Sequence, residues 1–131
     1  VGGGLEGNKT RPEDKRNCTL LLAALRKELD ARGKQNKRKY LLTIAAPAGP
    51  KTYVNLEFDR IHPLLDWINL MTYDFHGGWD ATTNFLAPLY ASSKDPTADE
   101  TVRKQFNVDA AVKAYLAAGV PGEKLVVGVP F

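Results

Sequence analysis

The sequence predicts an α/β fold built on parallel strands. Two observations carry that expectation. Helical and strand patterns alternate along the chain in the order αβαβαβ, which implies a parallel sheet with right-handed crossovers. Each strand pattern is also apolar nearly throughout, instead of alternating with polar residues, as strands buried on both faces are. A doubly wound sheet fits this order, and so does part of a (β/α)8 TIM barrel. A barrel needs about 250 residues and eight strands. The chain has 131 residues and about three strands, so by itself it leaves such a barrel incomplete.

The elements follow in order. The first eleven residues are Gly-rich and polar and read as a loop. Pro12 suits a first helical turn, with Glu13 and Asp14 favourable at its positive end. Leu21, Leu22, Leu25 and Leu29 fall at helical spacing on one predicted inner face, and Gly33 is the expected left-handed cap. Tyr40 to Ala46 is a short apolar run bounded by Lys39 and Pro47, a first strand. Val54 to Ile61 is weakly helical, with Leu56, Ile61 and Leu65 as core contacts, and Pro63 stops any longer helix. Trp67 to Tyr73 reads as a second strand. Residues 75–105, rich in Gly, Pro, Ser, Thr and Asp, read as a long loop, and loops of that length are usually functional. Asn107 caps a helix through Ala118, with Ala111, Val112, Tyr115 and Leu116 facing inward and Gly119 closing it. Leu125 to Val129 is the third strand.

An apolar fraction of 44% suffices for one compact core, so residues 1–131 are read as one partial domain. The net charge of +3 is a mild excess without a basic stripe. Its nearest cluster, Lys34, Lys37, Arg38 and Lys39, reads as a solvated loop after a helix. Neither a nucleic-acid partner nor a membrane surface is expected. No stretch approaches the roughly 18 apolar residues of a membrane span. The lone Cys18 allows no internal disulfide and reads as a small buried hydrophobe. The sequons Asn8-Lys9-Thr10 and Asn17-Cys18-Thr19 matter only in a eukaryotic secretory host. Val1-Gly2-Gly3-Gly4 lacks the charged-then-apolar pattern of a leader, and Val129-Pro130-Phe131 stops at a strand exit. Both ends suggest a piece of a longer product.

Parallel α/β folds place their sites at the C-terminal ends of strands. The exit of the second strand, Met71 to Asp80, holds a phenol, a carboxylate, an imidazole, an indole and a Gly-Gly pair. Met71 and Tyr73 share one face of the strand, the face a barrel turns into its mouth, and Asp74 stands at the rim. A phenol, a carboxylate and a flat indole suit a sugar, whose hydroxyl and acetamido groups take hydrogen bonds and whose apolar ring face stacks on aromatics. Local sequence leaves other roles open. Met71 and Tyr73 fit an ordinary barrel core, Asp74 fits a turn cap, Trp79 fits a loop anchor, and His76 fits a plain loop residue. His62 lies on a different element from His76, and no metal-ligand spacing repeats. Nucleophile-elbow, phosphate-loop, dinucleotide and C-x-x-C patterns are absent.

Met71-Thr72-Tyr73-Asp74-Phe75-His76-Gly77-Gly78-Trp79 closely resembles the sixth-strand signature of family 18 glycoside hydrolases of the chitinase type, M-[ST/A]-Y-D-F-x-G-x-W. The resemblance covers nearly the whole chain in order. Arg11 to Asn17 with Thr19 to Leu22 resembles the helix after the family's fourth strand, and Tyr40 to Ala45 its fifth strand. Ala87-Pro88-Leu89-Tyr90 resembles the loop after its sixth strand, and Gly119 to Phe131 the approach into its seventh. It implies a (β/α)8 barrel acting on chitin or N-acetylglucosamine oligomers, with no metal or organic cofactor, in a secreted protein that is monomeric at full length.

The resemblance also implies a substrate-assisted retaining mechanism, an exception to the two-carboxylate scheme. The acetamido oxygen of the substrate attacks the anomeric carbon, and a Glu protonates the leaving oxygen. Tyr73 matches the residue that holds the acetamido group, and Asp74 a carboxylate that orients acid and sugar; these two are the catalytic candidates. Met71 would floor the site beneath the reacting sugar, and Trp79 would stack on the leaving-group side. One departure matters: the family's D-x-x-D-x-D-x-E run, which ends in the general acid, does not occur. Val1 to Asn8 resembles the loop just after it, where Glu6 is no substitute. The 131 residues alone are therefore expected not to hydrolyse. A catalytically silent chitin-binding protein on the same fold is the alternative, and the residue at the acid position would discriminate.

Overall fold

In a computed structural model, residues 7–131 are described. The expectations placed on Val1 to Glu6, including the dismissal of Glu6 as an acid, lie outside them. The elements are α1 (Asp14–Asn36), β1 (Thr43–Pro47), α2 (Pro50–Tyr53), α3 (Phe58–Ile61), β2 (Trp67–Met71), α4 (Glu100–Gln105), α5 (Val108–Ala117) and β3 (Leu125–Val127), with short 3₁₀ turns at His62–Leu64 and Gly122–Lys124. The strands pair in parallel in the order β1-β2-β3, Ala46 opposite Leu70 and Leu70 opposite Val127. This is an open three-stranded arc of α/β barrel architecture. No described helix is long and apolar enough to cross a membrane.

Among the described residues only one face of the sheet is covered. Ile68, Leu70 and Thr72 are buried, and the two aliphatic side chains join Leu22, Ile61, Leu65 and Tyr115 in one core. Their neighbours Trp67, Asn69, Met71 and Tyr73 are half-buried or exposed, as is Ala45. Burial of the strands on both faces therefore does not hold within the described residues. The helices pack on one side, and the apolar second face is the side that a barrel turns inward.

The strands are shorter than the apolar runs. Thr43 opens β1 because Asp66 engages both backbone groups of Leu42: its carboxylate accepts from the Leu42 N–H at 2.8 Å, and its own N–H donates to the Leu42 carbonyl at 2.8 Å. Lys39 and Arg26 reach the same carboxylate at 2.7 and 3.3 Å. Hydrogen bonds from Lys39 and then Leu42 hold the Asp66 carboxyl below its usual range against the opposing effect of burial. The folded-state value is thus the lower one, so its contribution is present at neutral pH and lost as pH falls through that value. Stability is expected to drop below about pH 4. In urea unfolding between neutral and acid pH, Asp66→Asn should flatten that drop; an unchanged pH profile would remove Asp66 from the account.

Four helical expectations are corrected. Gly33 does not cap α1. The helix runs on to Asn36, and Lys37 takes the left-handed conformation (φ 53°). Gly33 instead admits the returning backbone, for a Cβ there would stand 2.4 Å from the Arg38 carbonyl oxygen. On the same helix Leu22 is buried, while Leu21 and Leu25 are exposed because α3 and the turn after it cover only a narrow stripe. Leu116 of α5 is likewise exposed, whereas Ala111 and Tyr115 are buried. Residues 75–105 are not all loop: the Asp99 side chain accepts from the Thr101 and Val102 N–H groups and starts α4. Asn107 caps α5 by accepting from Ala110 N–H at 2.9 Å, and Gly119 follows it at φ 87°. Leu56, Ile61 and Leu65 occupy the core, and Cys18 is half-buried, with burial raising its thiol.

Candidate active site

Beyond Met71 the chain leaves the sheet in a fixed way. Thr72 is buried, and its hydroxyl donates to the Gly128 carbonyl at 2.7 Å. Tyr73 comes next on the open face. Asp74 then adopts a left-handed backbone (φ 54°), a conformation that Asp tolerates better than most residues and that clusters at functional sites. The turn sends Phe75 inward, where its ring meets Phe106 edge-on at 6.1 Å, and the Phe75 N–H donates to the Leu86 carbonyl at 2.9 Å.

Met71, Tyr73 and Asp74 line one cleft of about 280 Å³ with Pro47, Ala48 and Gly49 of the β1 exit and the Phe75–Phe106 pair. The cleft sits at the C-terminal ends of β1 and β2. The β1 side is held by Tyr115, whose hydroxyl donates to the Pro47 carbonyl at 2.8 Å from a buried cluster with Tyr53 and Phe58; burial pushes that phenol up. Among the described residues no hydrogen-bond partner engages the Tyr73 hydroxyl or the Asp74 carboxylate. A larger hollow of about 430 Å³ lies farther out along the loop, lined by Asn84, Phe85 and Asp95; it contains neither Tyr73 nor Asp74.

Trp79 and His76 of the signature lie elsewhere. Trp79 is 70% exposed and does not line the cleft. Its ring crosses Gly77, where a Cβ would come within 2.5 Å of the indole. His76 is buried beside Asp80 and Asp95. Among the described residues no three His, Cys, Asp or Glu side chains gather as metal ligands.

Sequence reasoning missed Gly128. A Cβ at this position would stand 2.5 Å from the Leu70 carbonyl oxygen and 2.8 Å from the Tyr73 ring. The absent side chain is what lets the phenol lie against the end of β3. A glycine in an apolar strand is a signal for such close approach.

A family profile, Glycosyl hydrolases family 18, matches residues 4–131. Chitinase A1 of Niallia circulans is 48% identical over 131 residues, which is 100% of this chain and 19% of that protein. Chitinase 1 of Aphanocladium album is 44% identical over 116 residues, 87% of this chain and 26% of that one. The chain thus spans about a fifth to a quarter of the length of these curated relatives. Chitinase ChiA74 from Bacillus thuringiensis superposes with a TM-score of 0.88 at 47% identity, over 97% of this chain and 20% of that one. The catalytic domain of psychrophilic chitinase B from Arthrobacter TAD20 does so with 0.89 at 38%, over 98% and 30%. A group II chitinase domain from Ostrinia furnacalis, solved in complex with (NAG)5, superposes with 0.81 at 36%, over 94% and 29%.

Proposed function

Because the chain belongs to the family 18 glycosyl hydrolases, we propose that it supplies one wall of a chitinase active site. In this reading β1, β2 and β3 are the fifth, sixth and seventh strands of the barrel, and the full-length protein is secreted and cleaves β-1,4-linked N-acetylglucosamine polymers. The observation that carries it is the convergence of Met71, Tyr73 and Asp74 on one cleft at the strand ends.

The roles follow from chemistry. The Tyr73 hydroxyl donates to the substrate's acetamido group and holds its oxygen under the anomeric carbon. That fixed approach replaces a diffusional encounter. As the acetamido oxygen attacks, the bond to the leaving oxygen breaks and positive charge develops on the sugar. Asp74, within the same cleft, favours that charge electrostatically and orients the acetamido group. Met71 forms the apolar floor. Trp79, on its exposed turn, stacks on a neighbouring sugar. The leaving oxygen needs a proton, and no D-x-x-D-x-D-x-E run in the 131 residues supplies the acid.

Two assays test this. The chain alone, given a fluorogenic chitobioside, should release no fluorophore above blank; turnover would overturn the assignment of the acid. The chain exchanged for the matched span of the Niallia circulans chitinase A1 should restore turnover. A folded chimaera that holds oligosaccharide without cleaving it would show that this wall does not support the chemistry.

A further inference from the structure

The proposed chemistry leaves one buried imidazole unused. His76 is 2% exposed, and among the described residues neither ring nitrogen has a hydrogen-bond partner. Polar atoms buried this way are costly, and in an apolar hollow a leucine would serve better. The hollow around His76 is not apolar. Asp80 Oδ2 lies 3.3 Å from Nδ1, and Asp95 Oδ2 lies 4.0 Å from Nε2. The two carboxylates flank opposite ends of one ring, and they come from different loops.

Each carboxylate also organises its own turn. Asp80 accepts from the Gly77 N–H at 3.0 Å, and its own N–H donates to the Gly77 carbonyl at 3.0 Å, closing the 77–80 turn. Asp95 accepts from the Thr97 N–H at 2.8 Å, and its own N–H donates to the Ser92 carbonyl at 3.2 Å. Burial pushes the Asp95 carboxyl up, but hydrogen bonds from Thr97, with the nearby His76 ring, outweigh it and hold the group low. Trp79 rides on the first of these turns with its ring across Gly77.

We propose that His76 is a positioning residue that bridges Asp80 and Asp95, locks the Trp79 turn to the 92–97 loop, and so fixes the indole as a platform for a sugar. The last step rests on the chitinase reading above; the bridging does not.

The indole N–H signals of the 131-residue chain test it by NMR. Trp67, whose Nε1–H donates to Asn69 on β2 at 3.2 Å, serves as the internal control. The wild type should show one sharp Trp79 signal. Asp95→Asn, which keeps the size of the side chain, and His76→Leu, which fills the hollow, should both broaden or double it while Trp67 stays sharp. His76→Gln, which keeps a donor, should restore part of the line shape, an order that simple space-filling would reverse. An unchanged Trp79 signal in Asp95→Asn, or equal disturbance of Trp67, overturns the bridge, even where His76→Leu fails to fold. Chitopentaose titration of the same samples separates the two claims. The Trp79 signal of the wild type should move with ligand, and Asp95→Asn should raise Kd about fivefold to tenfold. A signal that ligand never moves overturns the sugar platform and leaves the bridge standing on its line widths.

Discussion

Asp74→Asn, placed in the chimaera with the Niallia circulans chitinase A1, is expected to lower kcat about a hundredfold or more with little change in stability. The substitution isolates charge from shape. Asn is isosteric with Asp and shares its tolerance of the left-handed backbone, so the φ of 54° at this position survives. No described protein group pairs with the Asp74 carboxylate, so folding loses no ion pair. What disappears is the negative charge in the cleft shared with Tyr73, which in the proposed mechanism acts on charge that develops only in the transition state. Tyr73→Phe should cost a similar factor by a different route. The ring stays packed at Gly128, and only the hydroxyl proposed to align the acetamido oxygen is lost. In the proposed mechanism the two groups serve one event, so the double variant should lose much less than the product of the single losses. Initial rates on a fluorogenic chitobioside, with urea midpoints measured in parallel, decide the matter. A kcat within twofold of the unsubstituted chimaera for both single variants would remove these residues from the chemistry.

How much of this was legible in the sequence differs from residue to residue. The parallel order of strands was legible because the strands of a parallel sheet write themselves as apolar runs such as Leu125 to Val127. The placement of Met71 and Tyr73 on one face followed from the two-residue period of a strand. Strand ends were not legible: Leu42 is as apolar as its neighbours, and only the distant Asp66 decides that the ladder starts after it. The inner face of α1 was misjudged because helical spacing offers both Leu21–Leu25 and Leu22–Arg26–Gly33 stripes, and only the narrow cover from α3 chooses between them. Gly33 and Gly128 carry the same lesson. Each looks like a cap or a neutral strand position, yet each is fixed by a backbone carbonyl arriving from elsewhere in the chain. The surroundings of His76 were invisible for the same reason, since Asp95 is brought to it by the path of a loop.

Gly128→Ala should produce the largest combined loss of stability and site geometry. The new methyl would sit 2.5 Å from the Leu70 carbonyl oxygen, which itself accepts the Gly128 N–H at 2.9 Å. Backbone cannot rotate away as a side chain can, so β3 must move off β2 or the ladder bond must stretch. The same methyl would lie 2.8 Å from the Tyr73 ring and push the phenol out of the cleft. Overpacking of this kind costs about 1–3 kcal/mol, and the displaced ring adds a loss of ligand alignment. Two further glycines make the test specific. Gly33→Ala meets the Arg38 carbonyl oxygen at 2.4 Å, far from Tyr73, and should lower the urea midpoint while leaving oligosaccharide binding unchanged in the fraction that stays folded. Gly78→Ala meets nothing within 4 Å and should change neither. Urea unfolding with chitopentaose titration of the three variants separates these outcomes. If Gly128→Ala binds like the wild type, the phenol does not depend on the bare backbone of β3, and the account of how the sheet aims Tyr73 fails.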